Sequence, residues 1–229
     1  MLFHLADPAA LLGIALALVL GILAHDAAQV LAAQALGDPL PRRSGRLTLR
    51  PAAHAGPFSA VAMVIVGNGW AEPVRMNDRW RRRRFHVAAA VLAGPLAYLL
   101  LCLAALAGLR GVVRAAATRY GERSVDVIDS LPFGGEVLLW MAVTFGSLLI
   151  LSLVPVPPLD GGRLLFTLGP TSPGWAQARH NLEERNWGLA VVLALLLLPV
   201  LFAGFPSVTG QLVGPLLRGL SPIVGLGLG

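Results

Sequence analysis

Apolar residues along this chain gather into long runs separated by short polar stretches. Residues 9–35, 87–109, 133–154 and 189–205 approach or exceed the roughly 20 apolar positions a helix needs to cross a bilayer, and predict four membrane-spanning helices. A fifth window, 208–228, is interrupted by Gly210, Gly214, Pro215 and Pro222. It reads as a kinked helix, two half-helices or a surface segment, with spanning favoured. Gly210 and Gly214 form a small-residue pair that would let a neighbouring helix approach closely. Residues 57–69 are apolar but would extend only about 18 Å as a helix, short of the hydrocarbon thickness. A re-entrant or protein-buried hairpin fits that stretch better. The expected fold is therefore an all-α integral membrane protein, a polytopic bundle of four to six membrane segments with a short re-entrant or β-hairpin element after the first helix. No repeat or boundary divides residues 1–229, which read as one domain.

Composition agrees with the pattern: 56% hydrophobic residues, 13% charged and a mean hydropathy of +0.72 suit bilayer rather than water. The net charge of +6 comes from arginines in the short loops, where anionic headgroups are nearer partners than nucleic acid. Every basic residue is Arg and none is Lys, a choice we read as codon bias. Before the short apolar stretch lie Arg42, Arg43, Arg46 and Arg50, and after it Arg75, Arg79 and the run Arg81 to Arg84, most simply a topology anchor, with specific lipid recognition as the alternative. The positive-inside rule puts both loops in the cytoplasm, whereas the near-balanced loop 110–131, with Glu122, Asp126 and Asp129, suits the outer face. The N-terminus is then outside, and no positive region precedes its apolar run, so that run reads as a retained helix. The lone cysteine, Cys102, sits in an apolar run, where it packs and forms neither a disulfide framework nor a thiolate site.

Ionisable side chains inside apolar helices are costly and usually functional. The first helix carries His25, Asp26 and Gln29, with 25 and 29 on one face. Hydrogen-bonded packing glue is the plain alternative. A second cluster follows the third apolar helix: Leu153-Val-Pro-Val-Pro-Pro-Leu-Asp160-Gly-Gly-Arg163. Its prolines end the helix, and irregular backbone at membrane depth must be buried in protein or line a wet cavity, into which Asp160 would project. Asp160 also suits the cap of a short helix through Leu168. The predicted topology brings both clusters near the cytoplasmic face.

Together these clusters resemble the site-2 protease family of intramembrane zinc metalloproteases. Further landmarks fall in family order: Gly37-Asp38, Gly45-Arg-Leu-Thr-Leu-Arg-Pro51 with His54, Gly69-Trp-Ala-Glu-Pro-Val74, Ala93-Gly-Pro-Leu96, and Pro155 to Arg163. The resemblance spans residues 9–166, leaving the C-terminal helices of 187–229 outside it. It implies a helix bearing HExxH, whose histidines bind zinc and whose glutamate is the general base, completed by the Asp of a Leu-Asp-Gly segment. Here His25 matches the first ligand and Asp160 the last. Asp26 stands at the general-base position where the family has Glu, Gln29 replaces the second His, and Tyr98 and Ser152 occupy positions where the family usually has Asn.

These departures weaken the implied chemistry. An amide oxygen is a poorer zinc donor than imidazole, so zinc would be held weakly if at all. Withdrawing a carboxylate by one methylene costs on the order of a hundredfold. A lost amide donor at Ser152 costs on the order of 10² to 10³ in rate, if it served the substrate or the oxyanion. The leading expectation is a catalytically impaired homologue, a pseudoprotease that binds transmembrane segments of other proteins. The second is an active zinc endopeptidase using His25, Asp160 and either Gln29 or His54, with Asp26 compensating. A channel or transporter is weaker because no inverted repeat is visible, and no Gly-x-Ser-x-Gly elbow supports a serine mechanism. Leu47-Thr48-Leu49 alternates like a short edge strand, one that would either pair with a partner's extended peptide or close on itself as a hairpin. Implied partners are membrane lipids and transmembrane segments, with a homo-oligomer admitted and nucleic acid not, in a bacterial inner membrane.

Overall fold

The structure, a computed structural model, describes residues 4–77, 83–120, 131–202 and 207–226. Every regular element among them is helical. In chain order they are α1 (Pro8–Ala35), α2 (Leu40–Arg43), α3 (Pro57–Val66), α4 (Arg84–Tyr120), α5 (Phe133–Ser152), α6 (Asp160–Leu168), α7 (Pro173–Arg179), α8 (Trp187–Leu201) and α9 (Val208–Leu220), with short 3₁₀ or π turns between some of them.

Three helices are long and apolar enough to cross a membrane: α1, residues Arg84–Ala116 of α4, and α5. They pack against one another as the centre of the molecule, burying Ile14, Ile22, Tyr98, Leu106, Phe145 and Leu148. Asp7 starts α1 by accepting from the Ala10 amide at 2.9 Å, with Pro8 at the first helical position, where a missing N–H costs nothing.

The expected spans are met only in part. The window at 189–205 becomes α8, 15 residues long, and it reaches spanning length only together with the preceding segment Pro173–Glu184, bent 61° away from it. The described residues thus hold three helices long and apolar enough to span, or four if the bent pair is one span. The window at 208–228 becomes the 13-residue α9, about 20 Å at the helical rise, lying along α5. The expected loop after Leu109 is helix as far as Tyr120. Arg79, Arg81, Arg82, Glu122, Asp126 and Asp129 lie outside the described residues.

No strand occurs among the described residues, so the proposed edge strand at Leu47-Thr48-Leu49 is corrected. The polar groups of Thr48 are engaged in local turns and loop contacts: its N–H donates to the Arg46 carbonyl, its Oγ1 accepts from Arg50 N–H, and its carbonyl accepts from His54. Three alternating residues carry too little information to outweigh these bonds. The short apolar stretch after α1 is likewise closed without strand pairing. It forms α3, ends on Gly67 in the left-handed region (φ 77°) and returns through residues 68–77. Ser59 Oγ donates to the Trp70 carbonyl at 2.6 Å and accepts from the Trp70 amide at 2.9 Å, tying the return to the helix. Asp38, buried after α1, accepts from the amides of Leu40 and Asn77 and anchors the far end of this return.

Helices α1 and α5 approach closely at Gly13. A Cβ placed on Gly13 would lie 2.7 Å from the Val137 carbonyl oxygen and 2.8 Å from Trp140 Cβ, so only glycine permits this approach. Gly13→Ala is expected to lower stability by about 1–3 kcal/mol. Gly134→Ala, where nothing lies within 4 Å, should leave it nearly unchanged. Thermal unfolding of both variants in one detergent is the measurement.

Candidate functional site

The site grows from a defect in α4. Pro95 has no N–H, so the carbonyl of Val91, four residues earlier, loses its helical donor. Gln29 on α1 supplies the replacement: its Nε2 donates to the Val91 carbonyl at 3.1 Å. Gly94 makes the approach feasible, because a Cβ there would collide with His25 and Gln29. The Ala93-Gly-Pro-Leu96 landmark is thus a notch in α4 that receives the polar face of α1.

His25, Asp26 and Gln29 are all buried, as are His54 and Asp160. The prolines after α5 bring Asp160 back into the bundle at the start of α6, in its first turn. Gly161 and Gly162 admit this return, since a Cβ on either would strike the backbone of residues 153–157. His25 Nε2 lies 2.6 Å from Asp160 Oδ2, and Gln29 Nε2 donates to Asp160 Oδ1 at 2.8 Å. On its other side His25 Nδ1 is 3.2 Å from Asp26 Oδ1. Tyr98 stacks on the imidazole, with centroids 4.9 Å apart and planes 26° from parallel. His25, Gln29 and Asp160 are thus brought together within hydrogen-bonding distance.

His54 reaches the cluster from the opposite side. Its Nδ1 lies 2.7 Å from Asp26 Oδ2 and its Nε2 donates to the Thr48 carbonyl at 2.8 Å. It is joined to His25 through Asp26. Asp26, at the position of the family's general base, bridges two imidazoles, with Arg46 Nη1 3.8 Å from the oxygen that His54 engages. Ser152 Oγ donates to the Leu149 carbonyl of its own helix at 2.8 Å. Beside it, a cavity of about 10 Å³ is lined by His25, Tyr98, Ser152 and Asp160 among others. That is room for roughly one water-sized molecule. Leu47 and Leu49 are exposed and make no part of the cluster.

Two arginines complete the site, and neither has a role in the sequence reading. Arg46 donates to the carbonyls of Ala53, Glu72 and Pro73, clamping two loops over the His54–Asp26 pair. Arg163 donates to the Val74 carbonyl at 2.7 Å, lies 3.4 Å from Gln29 Oε1 and sits 3.8 Å from Asp160 Oδ1. Arg46 looked like one more charge of a basic loop. Arg163 offered a better signal, being three residues, one helical turn, beyond Asp160.

These neighbours decide which end of the Gln29 amide faces the centre. The Val91 carbonyl can only accept and the Arg163 guanidinium can only donate, so the nitrogen points to Val91, Asp160 and His25 while the oxygen points to Arg163. A catalytic zinc takes three protein donors at about 2.0–2.3 Å. His25 and Asp160 supply two, and the third place holds an NH₂ group with no lone pair to give. Turning the amide over would set its oxygen against the Val91 carbonyl. Among the described residues no group of three or more His, Cys, Asp or Glu is arranged to hold a metal ion. The residues present therefore do not fit a catalytic zinc.

Compared with known proteins, the chain is 30% identical over 186 residues to "Putative zinc metalloprotease YwhC" of Bacillus subtilis (strain 168), a stretch covering 80% of this chain and 79% of that relative. No family model matches the chain, and no solved structure does.

Removing the central carboxylate should be severe. Asp26→Ala leaves His25, His54 and Arg46 without their shared acceptor inside the bundle, and a loss of about 3–5 kcal/mol is expected in denaturation measurements. A loss below about 1 kcal/mol would mean that water reaches the cluster.

Proposed function

The chain belongs to the site-2 protease family, and we propose that within it this protein holds transmembrane segments of other proteins without cutting them efficiently. The observation that carries this reading is the Gln29 amide nitrogen turned into the centre between His25 and Asp160. A metal-free centre of this kind needs its two carboxylates neutralised by protein. Asp160 has His25, Gln29 and Arg163 around it, and Asp26 has His25, His54 and Arg46. With its acceptors engaged by fixed donors, Asp26 is poorly placed to take a proton from an attacking water. The three-helix centre, with α3 and its return beside it, keeps the scaffold on which a partner helix would rest. We take the site to lie near the cytoplasmic face of a bacterial inner membrane, on the distribution of arginines in the loops.

A second reading is favoured by the 2.6 Å His25–Asp160 pair and by the name of the Bacillus relative: a zinc endopeptidase with an altered ligand set. On that reading the Gln29 amide would have to give up Val91 and turn its oxygen inward before His25 and Asp160 could gain a third donor.

The test is zinc content and cleavage by the purified protein, incubated with a panel of single-span segments carrying photo-crosslinkers. Less than a tenth of an equivalent of zinc, uncut segments cross-linked to the protein, and a rise toward one equivalent in Gln29→His are expected. Stoichiometric zinc in the wild type, with cleavage abolished by His25→Ala, would overturn the proposal in favour of the second reading.

A further inference from the structure

Beside the buried cluster opens a much larger space, a cleft of about 990 Å³. It lies between α3 with its return segment on one side and α6, α7 and the turn after α7 on the other, closed by the first turns of α4 and α8. Its place in the bundle fixes its depth. α1 and α5 end at this end of the molecule, and α4 and α8 begin here, so the cleft sits where apolar spans give way to polar chain, the level of lipid headgroups.

Four arginines line it, Arg75, Arg84, Arg163 and Arg179, against two glutamates, Glu72 and Glu183. Arg179 is paired through Nε with Glu183, which leaves the outer guanidinium nitrogens of its fork to be used. Arg84 is exposed and reaches the Gly169 carbonyl at 3.4 Å, a long bond and easily exchanged. The Trp175 indole N–H is packed against the same Gly169 and is buried with no hydrogen-bond partner among the described residues. The Arg84 guanidinium and the unsatisfied indole N–H thus both border Gly169 in the wall of the cleft. An apolar part of the wall is formed by Phe58, Val87, Phe166, Leu182 and Leu189.

We propose that this cleft binds one anionic phospholipid, its phosphate among Arg84, Arg179 and the Trp175 N–H and its glycerol and first methylenes against the apolar wall. Depth and lining select an amphiphile over a free phosphate: a soluble anion would have no use for the apolar part of a cleft at the membrane surface. The proposal does not depend on whether the chain cleaves anything.

The full chain in an uncharged detergent is titrated with phosphatidylglycerol, phosphatidylcholine, glycerol phosphate or inorganic phosphate, reading melting temperature and, by native mass spectrometry, bound lipid. One retained phosphatidylglycerol and a raised melting temperature are expected, with little effect from phosphatidylcholine or the soluble phosphates. Arg84→Ala with Arg179→Ala should weaken phosphatidylglycerol binding on the order of tenfold or more. Trp175→Phe, which keeps the ring and loses the donor, should weaken it a few-fold with the apo melting temperature held. Arg218→Ala on α9, exposed and outside the cleft, should leave binding intact. Equal stabilisation by phosphatidylcholine would reduce the effect to general solvation by lipid, and equal stabilisation by glycerol phosphate would make this an anion site. Either result, or unchanged binding in both cleft variants, overturns the proposal.

Discussion

Two carboxylates inside an apolar bundle govern this structure. Asp26 and Asp160 are buried away from bulk water, and a buried charge without a partner costs several kcal/mol. Each must therefore be met by protein donors, and the surrounding chain is arranged around that demand. The prolines after α5 fold Asp160 back to α1, the loop after α2 delivers His54 and Arg46 to Asp26, and α6 delivers Arg163 to Asp160. His25 joins the two carboxylates, so neither half of the network can move without disturbing the other.

The second constraint is a missing hydrogen bond. Pro95 orphans the Val91 carbonyl, and in an apolar setting that oxygen needs a donor. Gln29 provides one, and in doing so its amide becomes a donor toward the centre as well. The side chain at position 29 thus answers to α4 as much as to any ligand. An imidazole at that position would face the same oxygen, with one nitrogen able to donate to it and the other free to accept. This is the physical difference between a residue that can serve both the helix and a metal and one that serves the helix alone.

Much of the site could be read from residue order, because helical periodicity puts positions 25 and 29 on one face and prolines mark where the chain turns back with Asp160. The orientation of the Gln29 amide could not, since it depends on Val91 and Arg163 from other helices. His54 was recognisable as a candidate, but which carboxylate it meets is a matter of how two loops close, and it meets Asp26. Hydropathy windows located α1, α4 and α5 well, where composition and helix length agree. They overestimated the helices of the last two windows, because apolar content does not register where a helix bends or stops, as it does around α8 and after the 13-residue α9. The three-residue alternation at Leu47-Thr48-Leu49 failed as a strand because local turns and His54 claim the polar groups of Thr48.

Arg163 belongs to two places at once. Its guanidinium contacts Gln29, Asp160 and the Val74 carbonyl, and it also forms part of the wall of the large cleft. Any occupant that draws it outward must loosen its hold on the buried pair, and anything that tightens that hold must disfavour the occupant by the same factor. The cleft and the buried centre thus share one side chain as a common wall.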